Sequence, residues 1–172
     1  YHKIEMFIEA RKLINLPVAA MDISSKIGTI REVLIDPENG RLLGFLIKTG
    51  GILGVPKVLS AVDIREFDPN GIVTDSIENI VEAKEIVRIN EVLTKKILLL
   101  GMKAKTQAGK RLGVVENFLL DTETESVVKY YLKDLVGGPR IFPADKVVKI
   151  DKEIIFTDDI EKIPPGAVGQ TA

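Results

Sequence analysis

The alternation of apolar and polar positions reads as short strands joined by tight turns. Residues 26–35 are rich in β-branched and apolar side chains, and Asp36-Pro37-Glu38-Asn39-Gly40 then supplies a turn. Proline suits its second position, and Gly40 can take positive φ there. Residues 41–48 return as a second strand. The same chemistry recurs at Asp68-Pro69-Asn70-Gly71, which separates residues 62–67 from 72–74 and predicts another hairpin.

This pattern occurs twice. Residues 26–48 align with 111–133 without a gap: Gly28 falls on Gly113, Leu34 on Leu119, Asp36 on Asp121, Glu38 on Glu123 and Lys48 on Lys133. Between these anchors the character agrees, with Ile30 matching Val115, Ile35 matching Leu120, Phe45 matching Tyr130 and Ile47 matching Leu132. Self-similarity at this scale means one supersecondary unit used repeatedly. Leu34, Ile35, Phe45 and Ile47 are therefore expected in one core, and Leu119, Leu120, Tyr130 and Leu132 in another. Further on, the register slips through a length change after Lys48 or Lys133, so that Phe67-Asp68 meets Ile150-Asp151 and Ile72-Val73-Thr74-Asp75 meets Ile155-Phe156-Thr157-Asp158. The second copy lacks the turn prolines and glycines, which predicts looser turns.

Gly28 and Gly113 interrupt strand patterns at matching places, where glycine marks a bulge or sharp bend. Short strands closed by such a bend favour a small barrel, because closure removes exposed edges. The expected fold class is all-β: two tandem small antiparallel β-barrels, residues 1–84 and 85–162, with short helical or irregular lead-in segments. One lead-in is residues 6–12; in the other, Asn90 is expected to cap a helical turn through residues 91–96. Residues 163–172 have turn and coil composition and read as a flexible C-terminal tail.

The bulk properties narrow the function more than they define it. Hydrophobic residues make up 45% of the 172, enough for a buried core. With 24 Lys and Arg against 25 Asp and Glu, no global field draws the chain to nucleic acid or anionic lipid. Six cations against eight carboxylates in residues 13–75, and ten against nine in 97–158, keep the two copies similar. The absence of cysteine removes disulfides, thiolate catalysis and cysteine-ligated metals, and agrees with a cytoplasmic setting. Lys3, Glu5, Glu9, Arg11 and Lys12 break up the opening stretch, so it is not the centre of a signal peptide. No apolar run approaches the roughly 18–20 residues that span a bilayer. The chain opens on Tyr1 rather than methionine, which is compatible with a longer parent protein.

The Lys-Ile-Gly or Arg-Leu-Gly start, the apolar strand ending Leu-Ile-Asp or Leu-Leu-Asp, the turn and second apolar strand, and finally Pro143-Ala144-Asp145-Lys146-Val147 together resemble the PRC-barrel family. That family is named for the cytoplasmic domain of the photosynthetic reaction centre H subunit and includes the C-terminal domain of a bacterial ribosome maturation factor. The resemblance covers residues 13–75 and 98–158, although Ser60-Ala61-Val62-Asp63-Ile64 has no proline at the matching place. It implies a non-catalytic adaptor that docks a protein partner or stabilises an assembly, self-association included. A fold-level likeness specifies architecture better than activity.

Candidate chemistry is sparse. His2 is the single histidine, beside Lys3 at the chain start, and reads as solvated rather than as a metal ligand or triad member. Asp36 and Asp121 precede turns, where aspartate accepts backbone hydrogen bonds. Asp158, Asp159 and Glu161 lack the dense oxygen spacing of a calcium loop. Neither a cofactor nor a catalytic residue is expected. Lys103, Lys105, Lys110 and Arg111 form a local basic patch, which would serve an RNA- or ribosome-associated accessory role, yet no aromatics interleave with it to stack bases. Nucleic acid is therefore disfavoured. The glycine-rich loop around Ile52, Leu53 and Val55 lacks the Lys-Ser/Thr of a phosphate cradle. With its counterpart at Leu135, Val136 and Arg140, it either plugs one barrel end or offers an apolar surface to a partner.

Overall fold

In the computed structural model, which describes residues 6–50 and 55–162, strands dominate. The first half carries β1 (Phe7–Glu9), α1 (Ala10–Leu13), β2 (Pro17–Ala20), β3 (Ser25–Ile35), β4 (Leu42–Thr49), β5 (Lys57–Ser60), β6 (Ile64–Asp68) and β7 (Gly71–Thr74). There follow β8 (Ile80–Glu82), α2 (Val87–Thr94), β9 (Lys103–Thr106), β10 (Arg111–Asp121), β11 (Ser126–Asp134), β12 (Gly138–Pro143), β13 (Val147–Ile150) and β14 (Glu153–Phe156). Helix α2 begins at Val87 with Ile86 as N-cap, so Asn90 lies inside it and does not cap it.

Two sheets form, and their ladders share one order. The first runs β6-β7-β2-β3-β4-β5-β8 and the second β13-β14-β9-β10-β11-β12. The all-β, barrel-like class is thus observed, as two curled sheets whose described ladders do not close. The 3-10 turns Ala61–Asp63 and Ala144–Lys146 carry the chain round the open corner instead.

Register explains how the copies drift apart. Phe45 pairs with Leu59 and Tyr130 with Phe142, so the offset between copies falls by two residues across the loop joining these strands. A further residue is lost at the next turn: Phe67 opposes Ile72, whereas Ile150 opposes Ile154. Ile72 therefore matches Ile154 rather than Ile155, and this second-copy turn is tighter, not looser. At the other turn the length is unchanged. Gly40 has φ +71°, and Glu125 takes its place at φ +53°.

The glycine bends follow from close strand approach. A Cβ on Gly28 would meet the Lys48 carbonyl oxygen at 2.3 Å, and one on Gly113 would meet that of Lys133 at 2.2 Å. Bulges beside both glycines tighten the twist there.

Ile30, Leu34, Phe45, Ile47 and Ile72 of the first sheet and Val115, Leu120, Tyr130, Leu132 and Phe156 of the second are all buried, but in one continuous core rather than the two separate cores expected. Tyr130 meets Phe156 edge-on at 5.9 Å between ring centroids, and Phe45 meets Phe67 likewise at 6.3 Å. Leu119 departs from expectation: it is half-buried, because alternation along β10 sends Phe118 and Leu120 inward and Leu119 to the outer face.

The copies are bound together by exchange. β1, at the start of the first copy, pairs with the second sheet, with Glu9 opposite Leu119. At the hairpin tips Leu42 N–H donates to the Glu125 carbonyl at 2.7 Å, and Val127 N–H to the Gly40 carbonyl at 3.0 Å. Arg88 of α2 reaches back to Asp36 at 2.7 Å and to Glu38 and Glu91. Burial works against the charged form of Asp36, but hydrogen bonds from Arg88 and the Glu38 amide, with the Arg88 charge, outweigh it and hold the carboxyl below its usual value.

Candidate interaction surface

The outer face of the second sheet carries a groove of about 520 Å³. Strand alternation builds it. Along β9, Ala104 and Thr106 turn into the core, which leaves Lys103 and Lys105 outside. Arg111, Gly113 and Val114 come from β10, Lys133 and Asp134 from β11, Glu153 from β14, and Leu135 from the turn after β11. At Gly113 the missing side chain lets β11 approach β10 and shapes the floor.

Four cationic side chains thus face two carboxylates around an apolar patch. Lys105 lies 3.7 Å from Glu153 and Lys133 lies 4.0 Å from Glu116, both exposed pairs worth about 0–1 kcal/mol. Lys103 and Arg111 are solvent-exposed. At the rim, Leu135 and Val136 are 101% and 95% exposed on a turn fastened by Val136 N–H donating to Asp134 at 3.3 Å. In this copy the loop does not plug the barrel.

The basic patch and one apolar candidate therefore converge: Lys103, Lys105, Arg111 and Leu135 line one groove. Lys110 sits next to it, in the turn closed by its amide donating to the Thr106 hydroxyl at 3.1 Å. Arg140 lies away from it on β12, with its guanidinium over Gly137. Val55 is exposed in the other copy, and Ile52 and Leu53 lie outside the described residues, as does His2. Sequence reasoning missed Val114, Lys133, Asp134 and Glu153 as members of the groove. Alternation along β11 could have found Lys133; nothing local marks Glu153, brought in by the parallel pairing of β14 with β9.

The carboxylates considered earlier have structural partners. Asp36 and Asp121 each accept the amide two residues on, from Glu38 and Glu123, at 2.9 Å. Asp158 accepts the Ala108 amide at 2.9 Å. The Thr157 hydroxyl and then Lys146 hold Asp159 below the usual carboxylate range.

The architecture agrees with a pattern found among known domains: residues 5–91 match the PRC-barrel domain. The chain belongs to the PRC-barrel domain family. The match takes in the β1–α1 lead, the first sheet including β8, and part of α2. Within the chain, 52 residues are 40% identical to an uncharacterized protein of Deinococcus radiodurans, a match covering 30% of this chain and 19% of that protein. The PRC-barrel chain thus spans under a fifth of this relative's length. No helix among the described residues is long and apolar enough to cross a membrane.

Proposed function

We propose that this chain is a non-catalytic protein-interaction or assembly adaptor built from two PRC-barrel repeats, residues 1–84 and 85–162, acting in the cytoplasm and docking a protein partner in the groove beside Leu135. The second repeat reading is supported by the shared strand order. Leu135 carries the docking reading. A lone exposed leucine is ordinary. This one stands beside Val136 at the rim of a groove floored by Lys103, Lys105 and Arg111, which suits a segment with an apolar anchor and acidic flank. RNA would use the same cations, but Asp134 and Glu153 intrude and no aromatic lines the groove to stack bases.

The test is capture of a partner from native extract on the tagged full chain. Leu135→Asp and Lys103→Glu should each abolish capture while leaving the melting temperature within about 2 °C of wild type, as expected of surface substitutions. Capture that survives both changes contradicts the groove. Capture that vanishes with nuclease treatment moves the reading to RNA, and a concentration-dependent dimer lost in both variants moves it to self-association.

A further inference from the structure

The two sheets match strand for strand except at one edge. In the first, β8 covers β5, with Lys57 opposite Glu82, Val58 opposite Val81 and Leu59 opposite Ile80, and Ala83 N–H donates to the Pro56 carbonyl at 3.1 Å. Pairing with β4 and β11 makes Arg140, Ile141 and Phe142 the counterparts of Lys57, Val58 and Leu59, with Pro139 preceding them as Pro56 does. Among the described residues no strand lies on the far side of β12. Burial follows: Val58 is fully buried, whereas Ile141 is half-exposed. After the 3-10 turn Asp158–Lys162, the sequence continues Ile163-Pro164-Pro165. The β8 amide printed against this edge is that of Ala83, while the Glu82 amide donates to the Glu85 carboxylate at 2.9 Å; Pro164 and Pro165 carry no N–H.

We propose that the edge of β12, uncovered among the described residues, takes up an extended segment of a partner protein by antiparallel strand addition, the segment reading apolar-apolar-acidic with its carboxylate opposite Arg140. The occupied edge of the same chain is the template for the register: Ile80-Val81-Glu82 sets Glu82 opposite Lys57, with the Glu82 carboxylate itself paired to Lys84 at 3.1 Å. Arg140 holds no ion pair among the described residues, so its charge is available for this role. Alternate residues of an edge strand direct their backbone groups outward. Since Pro56 is outward-facing, Val58 is too, and by correspondence so is Ile141. Pro139 and Pro143 flank Ile141 on the same side and have no N–H, which leaves Ile141 as the single donor and limits the docked strand to about the length of β8. Such recognition draws affinity from main-chain bonds and selectivity from alternate side chains. The proposal rests on the interaction reading above but uses a surface separate from the groove.

The probe is a synthetic peptide with the sequence of residues 76–85, titrated into the full chain while amide exchange at Ile141 is followed by NMR. Saturable binding that protects the Ile141 amide is expected. Arg140→Glu should weaken it roughly three- to tenfold, and a peptide with lysine in place of Glu82 should recover the loss against that variant. Ile141→Pro should abolish binding; if that variant does not fold, the charge exchange at Arg140 decides. Leu135→Asp and Lys103→Glu should leave peptide affinity unchanged, so failure of the groove and failure of the edge remain distinguishable. No protection of Ile141 at millimolar peptide overturns the proposal. Binding that instead displaces β8 and deprotects Val58, or a dimer that protects Ile141 without peptide, overturns it equally.

Discussion

Alanine at Gly113 probes the geometry on which both the repeat and the groove depend. Gly113 has φ +96°, and a Cβ there would lie 2.2 Å from the Lys133 carbonyl oxygen and 2.7 Å from its carbon. Both obstacles are backbone, so relief requires β10 and β11 to part; no side chain can rotate out of the way. Left-handed backbone costs a residue with a Cβ about 1–2 kcal/mol, and forced overpacking adds about 1–3 kcal/mol. Gly113→Ala should therefore destabilise by roughly 2–5 kcal/mol. Gly28 is an internal control. Its Cβ would lie 2.3 Å from the Lys48 carbonyl oxygen, but its φ is not left-handed, so only the overpacking contribution of about 1–3 kcal/mol applies. Urea unfolding followed by circular dichroism separates the two, provided the slope m stays constant. A Gly113→Ala variant within about 0.5 kcal/mol of wild type, or one less damaged than Gly28→Ala, would refute the reasoning.

Gly40→Val has open space around the new side chain, so its cost comes from φ +71° alone and should be on the order of 1 kcal/mol in the urea midpoint; a neutral substitution would remove the left-handed turn. Asp36→Asn should destabilise most where the carboxylate is charged. Because Arg88 and the Glu38 amide outweigh burial and lower its folded pKa, that contribution is complete above the unfolded value and is lost as pH falls through the folded one. The gap in urea midpoint between wild type and variant should narrow below about pH 4, and a gap of constant size down to acid would assign the effect to packing.

What was legible in the sequence was whatever strand periodicity and turn chemistry encode locally. Phe45, Ile47, Tyr130 and Leu132 entered the core because a period of two fixes their face. Leu119 misled because identity with Leu34 does not fix equal burial: both strands shift register at the same place, Leu34/Ile35 and Leu119/Leu120, yet Leu34 is buried and Leu119 only half-buried, with β1 laid against Leu119. The turn at Glu125 was hidden because a non-glycine residue holds the left-handed position that glycine announces at Gly40. The Arg88–Asp36 pair joins residues 52 positions apart and has no local signature. The groove, and the β12 edge uncovered among the described residues, escape local reading for the same reason, since parallel pairing and strand order create them.

The pseudo-symmetry indicates where function can reside. An offset of 85 residues turns the Leu42–Glu125 bond into the Gly40–Val127 bond, so the hairpin tips meet as an isologous contact between two copies of one surface. Those groups satisfy each other inside the chain and are withdrawn from any partner. Positions off this axis are free to diverge. The ladder that sets Val18 opposite Gly28 and Ala104 opposite Gly113 makes Pro17 and Ala19 the counterparts of Lys103 and Lys105. The first copy is therefore small and uncharged where the second is cationic, although both keep a lysine at the Lys48 and Lys133 position. Core positions such as Phe45 and Tyr130 must stay large and buried in either copy, because truncating a buried aromatic costs about 3–5 kcal/mol. Lys103 and Lys105 carry no such packing constraint. Their two charges, absent at Pro17 and Ala19 of the sister surface, are not demanded by packing and are what the proposed docking in the groove would use.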